Sequence, residues 1–132
     1  MGLSQDFATP TARARGLGSA KSGVGAYIGQ LSSAVALAVL VPWFIFSVIS
    51  AVGAGYQGAA EWVARPWNAI LLILTFGAAF YHMRIGMRVI IEDYIGQGGT
   101  RTALLLLNSF AAIALFVATS ATVLKIWISA GA

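Results

Sequence analysis

The chain has 132 residues, of which 59% are hydrophobic and only 9% are charged, and its formal net charge is +4. A soluble domain carries roughly a quarter charged residues, so this composition excludes an ordinary soluble enzyme and is typical of an integral membrane protein. The chain contains no cysteine, which excludes disulfides, thiolate zinc sites and cysteine-held iron-sulfur clusters. Its basic residues are scattered and are not interleaved with aromatic ones, so we expect no nucleic-acid partner.

Three apolar segments predict an all-α protein with three transmembrane helices in contact with the lipid bilayer. In chain order, we expect an N-terminal tail over residues 1–30 and spans over residues 31–52, 67–91 and 102–126. Pro66 suits the first turn of the second helix, and the glycine-containing segment 53–65 is interpreted as a loop. A cleaved signal peptide is the competing interpretation. The small-residue run 33–38 precedes the apolar core instead of following it, which favours an uncleaved span.

Basic residues near the ends of the spans predict the orientation, because cytoplasmic loops are enriched in Lys and Arg. One side of the membrane would carry most of them, and the other side only Arg65 and Lys125. The tail and the loop after the second span are therefore predicted to be cytoplasmic, and the C-terminus to face outward. The basic residues on the cytoplasmic side are Arg13, Arg15, Lys21, Arg84, Arg88 and Arg101.

His82, the only histidine, lies in the inner half of the second span. Ionisable side chains at membrane depth usually mark functional sites. One interpretation is an axial haem ligand, because a neutral imidazole binds iron well; the other is a histidine that hydrogen-bonds a neighbouring helix. Gly86, one turn further on the same face, leaves room for a flat macrocycle or a close helix. Since Met83 and Met87 are badly placed on the same helix, a second iron ligand would have to come from another polypeptide.

Asp93 and Tyr94 lie at the cytoplasmic end of the second span, and Asp93 shares a helical stripe with His82. The plain interpretation is a solvated helix end with an interfacial tyrosine. The functional interpretation is a polar pair for a carbonyl-bearing amphiphile such as a quinone, because a phenol can donate to a quinone oxygen and a carboxylate can relay protons.

Arg84 and Arg88 are four residues apart and should face away from His82. Glu92 extends their row, so Arg88 and Glu92 can form an ion pair. The two arginines either snorkel to lipid head groups, dock an acidic soluble partner or pair with haem propionates.

The pattern of His82, then Gly86, then Asp93-Tyr94 in a three-span chain resembles the hydrophobic membrane anchor subunits of bacterial succinate dehydrogenase. In that family a histidine, a glycine four residues on and Asp-Tyr eleven and twelve residues on form the signature. The length and the segment Arg15-Gly-Leu-Gly-Ser-Ala-Lys21 before the first span agree with the resemblance.

The resemblance implies an anchor of succinate:ubiquinone oxidoreductase (complex II) in the bacterial inner membrane, with its C-terminus in the periplasm. His82 would be one axial ligand of a haem b shared with a cytochrome b-type sister subunit, with Gly86 packing against the haem. Tyr94 and Asp93 would bind the ubiquinone head group. An iron-sulfur subunit would dock on the cytoplasmic side and a flavoprotein subunit would oxidise succinate, so no activity is expected from this chain alone.

The start of the first span departs from that family. Many relatives carry an aromatic and basic cluster there, whereas residues 26–33 of this chain contain no arginine. Arg15, Lys21, Arg84 or the sister subunit would have to meet the haem propionates. Two rival functions remain at this point: a purely structural anchor without haem, and a small ion or proton channel subunit with His82, Arg84 and Arg88 along its path.

Overall fold

A computed structural model describes residues 9–11 and 23–129 of the chain. Residues 23–129 contain four helices and no strand: α1 (Val24–Gly53), α2 (Gly55–Ala64), α3 (Pro66–Tyr94) and α4 (Gly99–Ser129). Three of them, α1, α3 and α4, are long and apolar enough to cross a membrane. The predicted all-α fold with three transmembrane helices is therefore confirmed. Arg13, Arg15 and Lys21 of the predicted cytoplasmic tail lie outside the described residues.

The membrane-length helices extend beyond the apolar segments that predicted them. Helix α1 begins at Val24, so residues 24–30 continue the helix that carries the first apolar segment. It also runs on through Pro42 without a break, although proline donates no backbone hydrogen bond. Pro66 occupies the first turn of α3, as predicted.

The predicted loop over residues 53–65 is wrong, because most of it forms α2. A sharp turn separates α1 from α2. Gly55, the first residue of α2, has φ at 72°, a backbone conformation that glycine adopts without steric cost. The glycines made the segment look irregular, but Trp62 and Val63 pack against the core formed by the other helices. Tertiary packing has therefore overridden a weak local helix propensity.

Helix α3 is the central helix, since its contacts with α4 and α1 are the most extensive in the fold. Among the described residues, a buried hydrophobic cluster lies where α2 meets the three long helices. We call it the aromatic cluster: buried Ala69, Leu72 and Val123, with Trp43, Phe44, Trp62, Val63, Ile73, Phe76 and Trp127 packed around them. The rings of Trp43 and Trp62 lie 5.9 Å apart between centroids, which joins α1 to α2.

Most apolar side chains outside this cluster are exposed, as expected for helices that face lipid or other subunits. Two polar side chains are nevertheless buried among the described residues, Ser33 and Thr75. The Thr75 hydroxyl donates to the Leu71 carbonyl of its own helix. Ser33 contacts a side chain of another helix, and that side chain is the imidazole of His82.

Candidate functional site

The imidazole of His82 joins α3 to α1 through one ring nitrogen. His82 Nδ1 lies 3.0 Å from the hydroxyl oxygen of Ser33, which is only 6% exposed. The hydrogen bond to a neighbouring helix, one of the two interpretations of His82, is therefore present. This bond uses only Nδ1, and among the described residues Nε2 has no hydrogen-bond partner, so it can act as a ligand.

Close approach of α1 and α3 makes this contact possible. One turn before Ser33, the backbone of Gly29 packs directly against the ring of Tyr81, the residue before His82. A Cβ atom at Gly29 would collide with the Tyr81 hydroxyl and lie 3.3 Å from two of its ring carbons. Glycine at position 29 therefore allows the helix spacing at which Ser33 reaches His82.

Gly86 lies one turn after His82 on the same side of α3. A Cβ atom built on Gly86 would meet no other atom within 4 Å. Gly86 thus does not mediate helix packing within the described part of the chain, in contrast to Gly29. The open space beside its backbone is compatible with a flat group or another subunit lying against α3.

Asp93 and Tyr94 are the last two residues of α3. Both are exposed, and Tyr94 is 83% exposed. The helix is continuous from His82 to Tyr94, so Asp93 stands about 16 Å along the axis from His82 and almost in line with it. Tyr94 points about 100° away from Asp93. The two side chains do not touch His82; they form a separate polar group at the end of the same helix.

Arg84 projects to the opposite neighbour of α3, as its spacing from His82 predicts. Its Nε donates to the hydroxyl of Ser109 on α4 at 3.2 Å. The side-chain amide of Asn108 donates to the Arg84 carbonyl at 2.9 Å. These two contacts join α4 to α3 at nearly the same position along α3 as the contact between His82 and Ser33 of α1.

Three charged side chains, Arg88, Glu92 and Arg101, lie further along this side of α3. Arg88 Nε lies 2.8 Å from a carboxylate oxygen of Glu92, which confirms the predicted ion pair. Arg101, at the start of α4, lies 3.9 Å from the same oxygen. The carboxylate of Glu92 thus offsets part of the positive charge near the end of α3, on the face turned away from His82.

The residues that sequence reasoning missed are Ser33, Ser109 and Asn108, whose contacts join α1 and α4 to α3. Each is a small polar residue in an otherwise apolar span, and that was the available signal. The described residues contain no cluster of three or more His, Cys, Asp or Glu that could hold a metal ion alone. His82 is therefore not part of such a cluster among the described residues.

Comparison with known proteins identifies relatives over most of the chain. The model of the succinate dehydrogenase/fumarate reductase transmembrane subunit family matches residues 5–124. A protein of Paracoccus denitrificans named succinate dehydrogenase hydrophobic membrane anchor subunit is 36% identical over 77% of this chain and 78% of its own length. Proteins of the same name from Rickettsia conorii (31% identical, 86% and 90% covered) and Rickettsia bellii (28%, 88% and 93%) are also similar. No solved structure matches this chain significantly.

Proposed function

Since the chain belongs to the family of succinate dehydrogenase and fumarate reductase transmembrane subunits, we propose that it contributes an axial haem ligand and part of the ubiquinone site of a succinate:ubiquinone oxidoreductase. Its relatives and its three long apolar helices identify it as a multi-pass membrane anchor subunit of succinate dehydrogenase. Its partners are other subunits of that complex and the membrane.

The observation that carries the haem proposal is the one-sided hydrogen bonding of His82. A histidine that ligates a metal usually donates its other ring N–H to a protein acceptor. The Ser33 hydroxyl, 3.0 Å from Nδ1 of His82, is a group that can accept such a bond. Nε2 would then bind the iron, and the open backbone of Gly86 would accept the edge of the macrocycle. The chain has a single histidine, and Met83 and Met87 share its helix. The second axial ligand would therefore come from a cytochrome b-type sister subunit.

A haem b in this position would supply a one-electron redox site inside the membrane. The residues of this chain would hold one face of it and keep lipid and water away from the His82 ligand. Arg84 and Arg88 are engaged on the opposite side of α3 by Ser109 and Glu92. We therefore assign the propionate contacts to the sister subunit or to basic residues of the tail.

Ubiquinone would bind at the end of α3. The Tyr94 phenol is an O–H donor at the membrane surface and would donate to a carbonyl oxygen of the quinone ring. Reduction of a quinone consumes protons, and Asp93 beside Tyr94 can exchange protons with water. This end of α3 would face the cytoplasm of a bacterial inner membrane, where an iron-sulfur subunit would pass on the electrons that a flavoprotein subunit takes from succinate. The chain itself would perform no chemistry on succinate.

Replacement of His82 tests the haem ligand. In the co-expressed complex, His82→Ala should abolish or strongly alter the reduced-minus-oxidised haem spectrum, because the variant removes the only imidazole of this chain. Met83→Ala changes the neighbouring residue, which is 41% exposed, and should leave the spectrum intact. An unchanged haem spectrum in His82→Ala would overturn the ligand assignment, and a wild-type complex without haem would favour the purely structural anchor.

Replacement of Tyr94 tests the quinone site. Tyr94→Phe removes only the phenol oxygen and should lower succinate:ubiquinone reductase activity by roughly tenfold or more, as expected for a lost hydrogen bond to a reacting group. Oxidation of succinate by a soluble dye should be unaffected. Tyr56→Phe, at an equally exposed tyrosine of α2, is the matched control. Full quinone reductase activity in Tyr94→Phe would contradict the role of Tyr94.

No feature of the described residues favours the channel. A proton or ion path requires polar side chains that face a common lumen. On α4, the hydroxyls of Thr119 and Thr122 donate to carbonyls of their own helix. The side-chain amide of Asn108 donates to the Arg84 carbonyl. These polar groups satisfy backbone acceptors and do not line a path through the chain.

A further inference from the structure

Ser33 is the buried side chain through which α1 contacts the imidazole of His82. We infer that Ser33 holds His82 in the tautomer with its proton on Nδ1 and thereby lowers the midpoint potential of the haem, an assignment that rests on the proposed role of His82 as an iron ligand. Ser33 is then a positioning residue, because it acts through the imidazole and does not touch the metal.

The number of protons at the Ser33 hydroxyl decides the tautomer. Its oxygen lies 2.9 Å from both the Gly29 and the Gln30 carbonyl oxygens, in addition to His82 Nδ1. A hydroxyl has one proton, and carbonyl oxygens can only accept. If that proton pointed to His82, the lone pairs of the hydroxyl would face two carbonyl oxygens at close range without a proton between them.

The arrangement that pairs every atom has Ser33 donate to the backbone of α1 and accept from the Nδ1–H of His82. The imidazole proton is then on Nδ1, and Nε2 carries the free lone pair that a metal requires. The serine hydroxyl thus relays the hydrogen bond from the ring to a backbone carbonyl, and each bond of such a chain polarises the next.

The site is built to hold this geometry. Ser33 is nearly inaccessible to solvent, and its hydroxyl is anchored to its own helix on one side and to His82 on the other. Gly29 and Tyr81 pack against each other one turn away, so the two helices cannot drift apart without losing that contact as well. Two consecutive residues of α3, Tyr81 and His82, are therefore fixed by two residues of α1 that lie one turn apart.

The hydrogen bond has a consequence for electron transfer. A ring N–H that donates to an acceptor makes the opposite nitrogen a stronger electron donor. Stronger donation stabilises the oxidised iron more than the reduced iron, which lowers the midpoint potential. When the acceptor is removed, donation from Nε2 weakens and the potential rises.

The test is a spectroelectrochemical titration of the haem in the intact, purified complex. Ser33→Ala should shift the midpoint potential upward, and Ser33→Thr, which keeps a hydroxyl, should retain the wild-type value. Ser32→Ala is the matched control, because the Ser32 hydroxyl makes the same kind of bond to its own helix, with the Ile28 carbonyl, but is exposed. It should leave the potential unchanged.

A bound haem with the same potential in Ser33→Ala as in wild type would overturn the role of Ser33 while leaving His82 as a ligand. If Ser33→Ala fails to assemble, Ser33→Cys keeps nearly the same volume but offers only a weak acceptor, and the same upward shift is expected. An unchanged potential in Ser33→Cys would overturn the proposal equally. A wild-type complex without haem would overturn the proposed function and this inference with it.

Discussion

The aromatic cluster and the polar contacts around α3 join the same helices by different means. At the cluster, Leu72 and Val123 are buried among large rings from all four helices. Along α3 beyond it, single hydrogen bonds connect Ser33 to His82 and Asn108 to Arg84. In a membrane, close packing supplies most of the association energy, and an interhelical hydrogen bond contributes only about 0.6 kcal/mol on average. The cluster therefore stabilises the bundle, and the polar contacts fix the orientation of individual side chains.

This difference predicts that changes in the aromatic cluster lower stability and leave the site around His82 unchanged. Changes at the polar contacts should instead alter that site and have only a small effect on stability. Leu72→Ala should have the largest effect on stability, about 2–4 kcal/mol of unfolding free energy, because it opens a cavity at a side chain that is 4% exposed. Leu74→Ala, on the same helix but 54% exposed, is the control. Titration of the detergent-purified complex with a denaturing detergent measures both. If the proposed haem is bound, a changed haem spectrum in the still-folded Leu72→Ala complex would contradict the division between the two regions.

Gly29→Ala should cost about 1–3 kcal/mol, because the new methyl group collides with the Tyr81 hydroxyl and must displace Tyr81 relative to α1. The same displacement should lengthen the bond from Ser33 to His82, so the haem midpoint potential should rise together with the loss of stability. Gly25→Ala lies one turn earlier on α1, where an added Cβ meets nothing within 4 Å. Equal shifts of the haem potential in Gly29→Ala and Gly25→Ala would contradict the role of the contact between Gly29 and Tyr81.

Asn108→Ala removes one interhelical hydrogen bond and should lower the unfolding free energy by about 0.6 kcal/mol. The control is Thr119→Ala, since the Thr119 hydroxyl bonds only to its own helix at the Leu115 carbonyl. A double-mutant cycle that combines Asn108→Ala with Leu72→Ala should be additive, because Leu72 lies about 18 Å along α3 from Arg84, whose carbonyl Asn108 binds. Strong coupling between them would show that the regions are not energetically separate.

Glu92→Gln should have the smallest effect, about 0.3–0.5 kcal/mol, because its pair with Arg88 is solvent-exposed. Salt screens such pairs, so the difference from wild type should shrink as ionic strength rises. Glu61→Gln on the exposed side of α2 serves as the control, and should show no dependence of this kind. A Glu92 effect that persists at high salt would mean that the carboxylate has a role beyond this ion pair.

The general architecture could be predicted from the sequence because each long apolar segment must form all its backbone hydrogen bonds internally when it crosses a bilayer. The opposite projection of His82 and Arg84 followed from helical periodicity alone. Helix α2 could not be predicted, because its glycines suggest a loop and its helical form depends on the packing of Trp62 against other helices. Ser33 could not be paired with His82 because they are 49 residues apart, and only the register between α1 and α3 brings them together.

The three long helices have 29 to 31 residues each, which is about 44–47 Å at 1.5 Å per residue, and about 44 Å for α3, whereas the hydrocarbon layer of a bilayer is about 30 Å thick. To hide its whole length in that layer, α3 would have to lean by about 47°, beyond the usual range of 0–40°. At least one end of α3 therefore protrudes among the phospholipid head groups. At the end that carries Tyr94, such a protrusion would place the proposed quinone site at the boundary between the acyl chains and the head groups.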